Sequence, residues 1–195
     1  MPDLAEAQSI SVEEYLAGEA VAPVRHEYVG GEVFAMAGAT EGHATIAGNV
    51  FALLRAHVRG SPCRVYIADM QLRVEPASAF VYPDVFVTCD ARDAAEPLAK
   101  RHAGVIIEVL SESTEGYDRG AKFGDDRRLD ALEEYVLVDS RSRACEVFRR
   151  RPEGWLLDSV PADGRLVLQS IGFECSLDAV YEDVVFVQTE SADTD

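Results

Sequence analysis

The run Val105-Ile106-Ile107-Glu108-Val109-Leu110 constrains this chain more than any other segment. Side chains on a strand alternate between faces, so Val105, Ile107 and Val109 would occupy one face and Ile106, Glu108 and Leu110 the other. Apolar residues on both faces mark a central strand covered on each side, which calls for a layered α/β architecture. A carboxylate in such a strand is costly unless a charge compensates it, so Glu108 is the first candidate for chemistry.

The rest of the chain supplies the layers. Ser11-Val12-Glu13-Glu14 has the form of a capping box and predicts a short helix to about Gly18. Gly30-Gly31 predicts a turn leading into the strand Glu32-Val33-Phe34-Ala35-Met36. Between residues 41 and 58, Ile46, Val50, Leu53, Leu54 and His57 recur at helical spacing, and His43 falls on the same inward face. Runs at 63–67, 70–74, 81–88 and 105–110 are expected to form one central sheet, with 90–102 as a surface connection. A helix is predicted over 117–132, weakened by Gly120 and Gly124 by about 1 kcal/mol each. Beyond a buried strand at 135–138, the runs 144–149, 155–159 and 165–169 predict an antiparallel meander, followed by a short helix at 177–181. No boundary divides the chain, so residues 1–188 read as one domain and 189–195 as a disordered acidic tail.

Composition excludes several functions. No run approaches the roughly 18 apolar residues of a membrane span, and the start Met1-Pro2-Asp3-Leu4-Ala5-Glu6 lacks the pattern of a signal peptide, so a soluble cytoplasmic protein is expected. Cys63, Cys89, Cys145 and Cys175 lie far apart, with no zinc spacing, and are expected to be reduced. Eighteen basic against 35 acidic residues give a net charge of −17, which opposes simple coating of nucleic acid. The basic residues are nevertheless uneven: Arg127, Arg128, Arg141, Arg143, Arg149, Arg150 and Arg151 fall within one stretch, as a solvated face or as a contact for phosphates.

Two further features join Glu108. Tyr82-Pro83-Asp84-Val85-Phe86-Val87 puts an acid just after a proline at the entry to an apolar strand, and Pro83 fixes where that strand begins. Asp84 and Glu108 on neighbouring strands could hold a divalent cation between them; magnesium suits, because it takes one or two carboxylates and completes its shell with water and phosphate. In Asp118-Arg119-Gly120-Ala121-Lys122, Asp118 and Lys122 lie one helical turn apart, and the ammonium could orient water or neutralise charge on a phosphate. A plain ion pair between Glu108 and Lys122 is the simpler alternative, but it leaves Asp84 and Glu32 unexplained.

Taken in order, His26-Glu27-Tyr28-Val29-Gly30-Gly31-Glu32-Val33, the helix bearing His43, Ser61-Pro62-Cys63-Arg64-Val65-Tyr66-Ile67-Ala68-Asp69, Tyr82-Pro83-Asp84-Val85, Ile107-Glu108-Val109-Leu110-Ser111-Glu112-Ser113-Thr114, Asp118-Arg119-Gly120-Ala121-Lys122-Phe123 and Glu134-Tyr135-Val136-Leu137-Val138-Asp139 resemble the Uma-type branch of restriction endonucleases in the PD-(D/E)xK nuclease superfamily. The resemblance spans roughly residues 10 to 185. It implies a restriction-endonuclease-like α/β fold: a mixed central sheet flanked by helices, with the C-terminal antiparallel β meander as an addition. It further implies that Asp84 and Glu108 are metal ligands, that Lys122 is the catalytic lysine, and that Glu32 is an additional acid from an early strand. His43 and Asp69 would support these groups. The superfamily usually places its lysine two positions after the glutamate, where this chain has Leu110, so Lys122 is the replacement. Where the family commonly has a tyrosine after the lysine, this chain has Asp126.

The expected activity is therefore Mg2+-dependent cleavage of DNA, with Mn2+ as substitute, by a homodimer whose paired sites serve the two strands. An interaction module that keeps the fold without turnover is the alternative, favoured by the net charge. Carboxylate-pair hydrolysis of a glycoside fits less well, because a lysine accompanies the acids and no aromatic-rich sugar cleft is visible.

Overall fold

A computed structural model describes residues 9–36 and 38–186. The proposed tail at 189–195 lies outside the described residues. Helix α1 (Val12–Glu19) starts at Ser11, whose hydroxyl accepts from the amide of Glu14 while the Glu14 carboxylate caps the amide of Ser11. Strands β1 (His26–Val29) and β2 (Glu32–Ala35) form a hairpin across Gly30-Gly31. Both glycines have positive φ, 58° and 102°, as a tight two-residue hairpin turn requires. The sequence reading found the turn and β2 but not the strand before them.

Helix α2 (Glu41–His57) starts at the cap Thr40 and buries Ile46, Val50 and Leu54. Strands β3 (Arg64–Ile67), β4 (Gln71–Val74), β5 (Ala79–Val81), β6 (Val85–Thr88), β7 (Ala99–Lys100) and β8 (Ala103–Leu110) follow. The next segment is helical in three parts: α3 (Glu115–Tyr117), a π-helical turn Asp118–Lys122 and α4 (Phe123–Asp126). It stops at Asp126, six residues short of the predicted end at residue 132, because Gly124-Asp125-Asp126 are poor helix formers. Strands β9 (Glu134–Asp139), β10 (Cys145–Arg151), β11 (Gly154–Val160), β12 (Arg165–Leu168) and β13 (Phe173–Ser176) and helix α5 (Leu177–Val180) complete the described chain.

The expectation of a single central sheet is corrected. One sheet has the order β2-β1-β5-β4-β7, a second has β11-β10-β9-β8-β6-β3, and β12 pairs only with β13. The run 81–88 is therefore two strands in two sheets, and the chain crosses between them at Tyr82-Pro83-Asp84. Proline ends one hydrogen-bond ladder there because it has no amide to donate. The expected three-stranded meander is likewise a two-stranded hairpin extending the second sheet, with its third run, β12, paired to β13 instead. The segment 90–102 is more than a surface connection, since β7 pairs in parallel with β4 and Asp93 and Lys100 are buried.

Strand β8 sits in the middle of the larger sheet, antiparallel to β6 and parallel to β9. Its Val105, Ile107 and Val109 pack with Ile46, Val50 and Leu54 of α2 in one core. Ile106 and Leu110 join Leu72, Val81, Phe123, Leu132 and Tyr135 in another, between the two sheets. The alternation predicted from sequence holds, and it points Glu108 into the space between the sheets.

The expectation of four reduced cysteines is corrected too. Cys63 and Cys89 form a disulfide. The β3–β6 register pairs Arg64 with Thr88, so the next residues outward stand opposite each other, a proximity that 26 positions of sequence conceal. Cys145 and Cys175 are free, and burial pushes their thiols up to about 12 and about 11. Such thiols stay protonated and inert at neutral pH. Among the described residues, no helix is long and apolar enough to cross a membrane.

Candidate active site

Antiparallel pairing of Val85 with Ile107 sets Asp84, at the crossing point, beside Glu108. The contact is direct. The amide of Asp84 donates to Glu108 Oε2 at 3.3 Å, and the amide of Val109 donates to Asp84 Oδ2 at 2.8 Å. His43 Nε2 lies 3.2 Å from the same Asp84 oxygen, so the first turn of α2 reaches the site as its inward phase required. Burial pulls the His43 pKa down, but the hydrogen bond and charge of Asp84 outweigh it, and the imidazole titrates above its ordinary value.

Lys122 comes from the π-helical turn and is only 6% exposed. Its Nζ lies 3.1 Å from Glu108 Oε1, 3.1 Å from Glu27 Oε1 and 3.9 Å from Asp118 Oδ1. Burial alone would strip its proton; three close carboxylates overrule that and hold the ammonium well above its usual pKa. For Glu108, burial raises the carboxyl strongly, opposed by Lys122. Its Oε1 faces the ammonium at an angle that makes an ion contact rather than a hydrogen bond.

The structure brings Asp84, Glu108, Lys122 and His43 together along one cavity of about 560 Å³. It does not bring Glu32 there. Glu32 is exposed on the edge strand β2, paired with Val29 at the turn end of the hairpin, while the cavity is lined by Phe34, Ala35 and Met36 farther along. Glu27 of β1, not Glu32 of β2, lines the cavity and touches Lys122. Asp69 is 79% exposed and pairs with Arg25 at 3.7 Å, outside the cavity. Sequence reasoning missed Glu27 because it assigned no strand before Gly30-Gly31. Extending the hairpin backwards would have placed Glu27 opposite Phe34 on one face. Asp118, noted only as a neighbour of Lys122, also lines the cavity.

A buried polar network fixes the crossing point. Tyr82 donates its hydroxyl proton to Glu19 Oε1 at 2.9 Å and its amide proton to Glu27 Oε1 at 3.1 Å. Gln71 donates to the hydroxyls of Tyr15 and Tyr82. Helix α1 is thereby tied to the residue that precedes Pro83, which fixes where Asp84 begins the next strand.

Asp126 stands apart: its carboxyl is fully buried and neither oxygen has a hydrogen-bond partner among the described residues. Burial pushes its pKa up to about 7, with Lys122 opposing and Glu27 and other acids adding to the rise. The folded protein thus binds this proton more tightly than the unfolded chain, and the associated stability fades as pH climbs from about 4 to about 7. Asp126→Asn, which keeps the shape without the charge, is expected to be more stable than the parent by roughly 2–4 kcal/mol at pH 8 and equal to it near pH 4. Urea melts at both pH values measure this, and a pH-independent difference contradicts it.

The basic stretch at 127–151 is not a free phosphate-binding face. Arg149 is buried against Glu134 and Asp158, and Arg150 donates to the carbonyls of Leu132, Arg127 and Leu129. Arg128, Arg141 and Arg143 pair with Asp125, with Glu115 and Asp139, and with Asp178, while Arg151 donates to Gln169.

Among the described residues, no three His, Cys, Asp or Glu side chains close around a point as a cage for an ion. Magnesium needs none, since it keeps several waters and takes one or two carboxylates. Asp84 Oδ2 takes both the Val109 amide and the His43 contact, and Asp84 and Glu108 both line the cavity. The donors are all oxygen, and the pair fits a hard divalent cation.

A mixed sheet with Glu108 on its central strand and Asp84 at the entry to the neighbouring one, flanked by helices, is a nuclease-like α/β fold. That fold matches a crystal structure described as a putative nuclease belonging to DUF820 from Anabaena variabilis, with a TM-score of 0.71 and 16% identity, over 88% of this chain and 97% of that one. The model of the Uma2 family, described as "Putative restriction endonuclease", matches residues 12–179, and the chain belongs to that family. Two Synechocystis proteins are similar along most of their length. The uncharacterized protein slr1290 is 34% identical over 91% of this chain and 94% of its own, and the uncharacterized protein sll1609 is 29% identical over 79% and 89%.

Proposed function

We propose that this protein is a divalent-metal-dependent DNA endonuclease, with Asp84 and Glu108 as the metal ligands and Lys122 as the assisting cation. Mg2+ is the expected ion and Mn2+ its substitute. The observation that carries this reading is the charge balance of the cavity. Among its described lining residues, Glu27, Asp84, Glu108 and Asp118 face a single ammonium, Lys122. A phosphodiester is repelled by such a site unless a multivalent cation enters with it.

A divalent cation held by Asp84 and Glu108 supplies Lewis acidity and positive charge for hydrolysis of the phosphodiester. The protein's own groups do the rest. Lys122, kept protonated by its three carboxylates, presents a cation to the developing negative charge on phosphate oxygen. The Val109 amide and His43 hold the Asp84 carboxylate through Oδ2, so it needs little reorganisation during the reaction. Glu27 and Asp118 hold the ammonium in place. Glu32, lying outside the cavity, has no part in this reading.

Calorimetric titration with Mn2+ tests it directly: the wild-type chain is expected to bind, and Glu108→Ala to bind at least tenfold more weakly. Equal binding would remove the metal site. Incubation with plasmid DNA and Mn2+ then separates an enzyme from an interaction module, which would bind the ion without cutting. A homodimer is expected from the need to cut two strands, and sedimentation tests it.

A further inference from the structure

From the shape and lining of the same cavity, and resting on the nuclease reading for what happens after binding, we infer that the site takes an unpaired nucleotide of a single strand, with its base against Phe34 and Tyr117. The reactive groups are recessed. Glu108 is 2% exposed and Lys122 is 6% exposed, so the scissile phosphate must descend to a floor between the two sheets. A phosphate in a duplex is held at the surface of a stiff stack of base pairs. An unpaired nucleotide can rotate about its backbone and fold into a cavity of about 560 Å³, a size suited to enclosing one small group.

The walls suit a base rather than a phosphate ladder. Phe34 is paired across the hairpin with Glu27, and directly opposed residues share a face, so its ring stands on the cavity side of β2. It is 50% exposed, and Met36 and Tyr117, which line the same cavity, are 39% and 38% exposed. Apolar surface left open beside a reactive floor has no role in the folded core, whereas base stacking on aromatic rings adds sequence-tolerant affinity for single strands. A duplex offers no open base face to stack, so its binding depends more heavily on arrays of free Lys and Arg. Here the lining ammonium of Lys122 is held by three acids and the lining His43 by Asp84, and six of the seven arginines in the basic stretch are tied to carboxylates, carbonyls or Gln169.

Fluorescence anisotropy with a short labelled single-stranded oligonucleotide and its matched duplex, in Mn2+, tests the inference on wild type, Phe34→Ala and Phe34→Tyr. Phe34 is exposed, so both variants should fold. Single-strand affinity is expected to exceed duplex affinity at least tenfold, to fall about tenfold in Phe34→Ala and to recover in Phe34→Tyr. Tighter duplex binding, or single-strand binding indifferent to Phe34→Ala, overturns it. Cleavage is scored separately on the same oligonucleotides. Stacking-dependent binding without any cutting supports this inference and rejects the nuclease reading. Cutting of duplex that ignores Phe34 does the reverse.

Discussion

Lys122→Met is expected to lose about 3–5 kcal/mol of folding stability at pH 8, the characteristic cost of removing one partner from a buried charge cluster. The ammonium is the shared counterion of Glu108, Glu27 and Asp118, all within 3.9 Å and each less than a tenth exposed. Methionine fills the space but leaves those carboxylates without compensation. Glu108 and Asp118, whose carboxyls burial already raises, respond by holding protons more tightly still. Stability tied to a raised carboxyl pKa is present at low pH and lost as pH rises, so the deficit should shrink markedly near pH 5. Urea denaturation at the two pH values measures it. A variant as stable as the parent at pH 8 would mean that the ammonium is not the counterion. Cleavage should be lost as well, and wherever the variant is kept folded at lower pH the loss reports chemistry rather than unfolding.

Asp84→Asn should show the opposite separation, a fold nearly intact and a rate lowered by about a thousandfold. The amide oxygen of asparagine can still accept from the Val109 amide, so the change in stability should stay below about 1 kcal/mol. The carboxylate that would face the cation loses its charge. Forfeiting several kcal/mol of metal-dependent stabilisation corresponds to about three decades of rate. Plasmid nicking under single-turnover conditions with Mn2+, alongside thermal melting, reads both quantities. Wild-type rates in this variant would exclude Asp84 as a ligand and return the cluster to a purely structural ion network. The two substitutions complement each other, since one removes the group that makes the cavity stable and the other the group that makes it useful.

The disagreements between sequence and structure share a cause. Periodicity along Val105–Leu110 revealed the face of Glu108, and the phase of α2 put His43 inward, because both patterns are local. Pro83 was legible as the start of a strand, but not as the point where the chain leaves one sheet for another, since nothing local distinguishes a strand start from a sheet switch. Glu32 and Glu27 occupy the same hairpin, and which of them meets Lys122 depends on distance along β1 and β2 from the turn. The helix predicted to residue 132 ended at Asp126, where burial of Leu129 and Leu132 by tertiary packing imitated helical periodicity.

What the sequence alone determined was the chemistry available: one acid in a strand with no polar face, another held behind a proline, and a lysine one turn from an aspartate. Those follow from residue identity and from the strand and helix repeats, which are properties of neighbours in the chain. Only the tertiary structure decided which charges meet, that Cys63 and Cys89 pair, and that six of the seven arginines of the basic stretch have internal partners. Contact between segments is set by strand register and sheet order, and those are chosen by burial over the whole molecule rather than by any single stretch of residues.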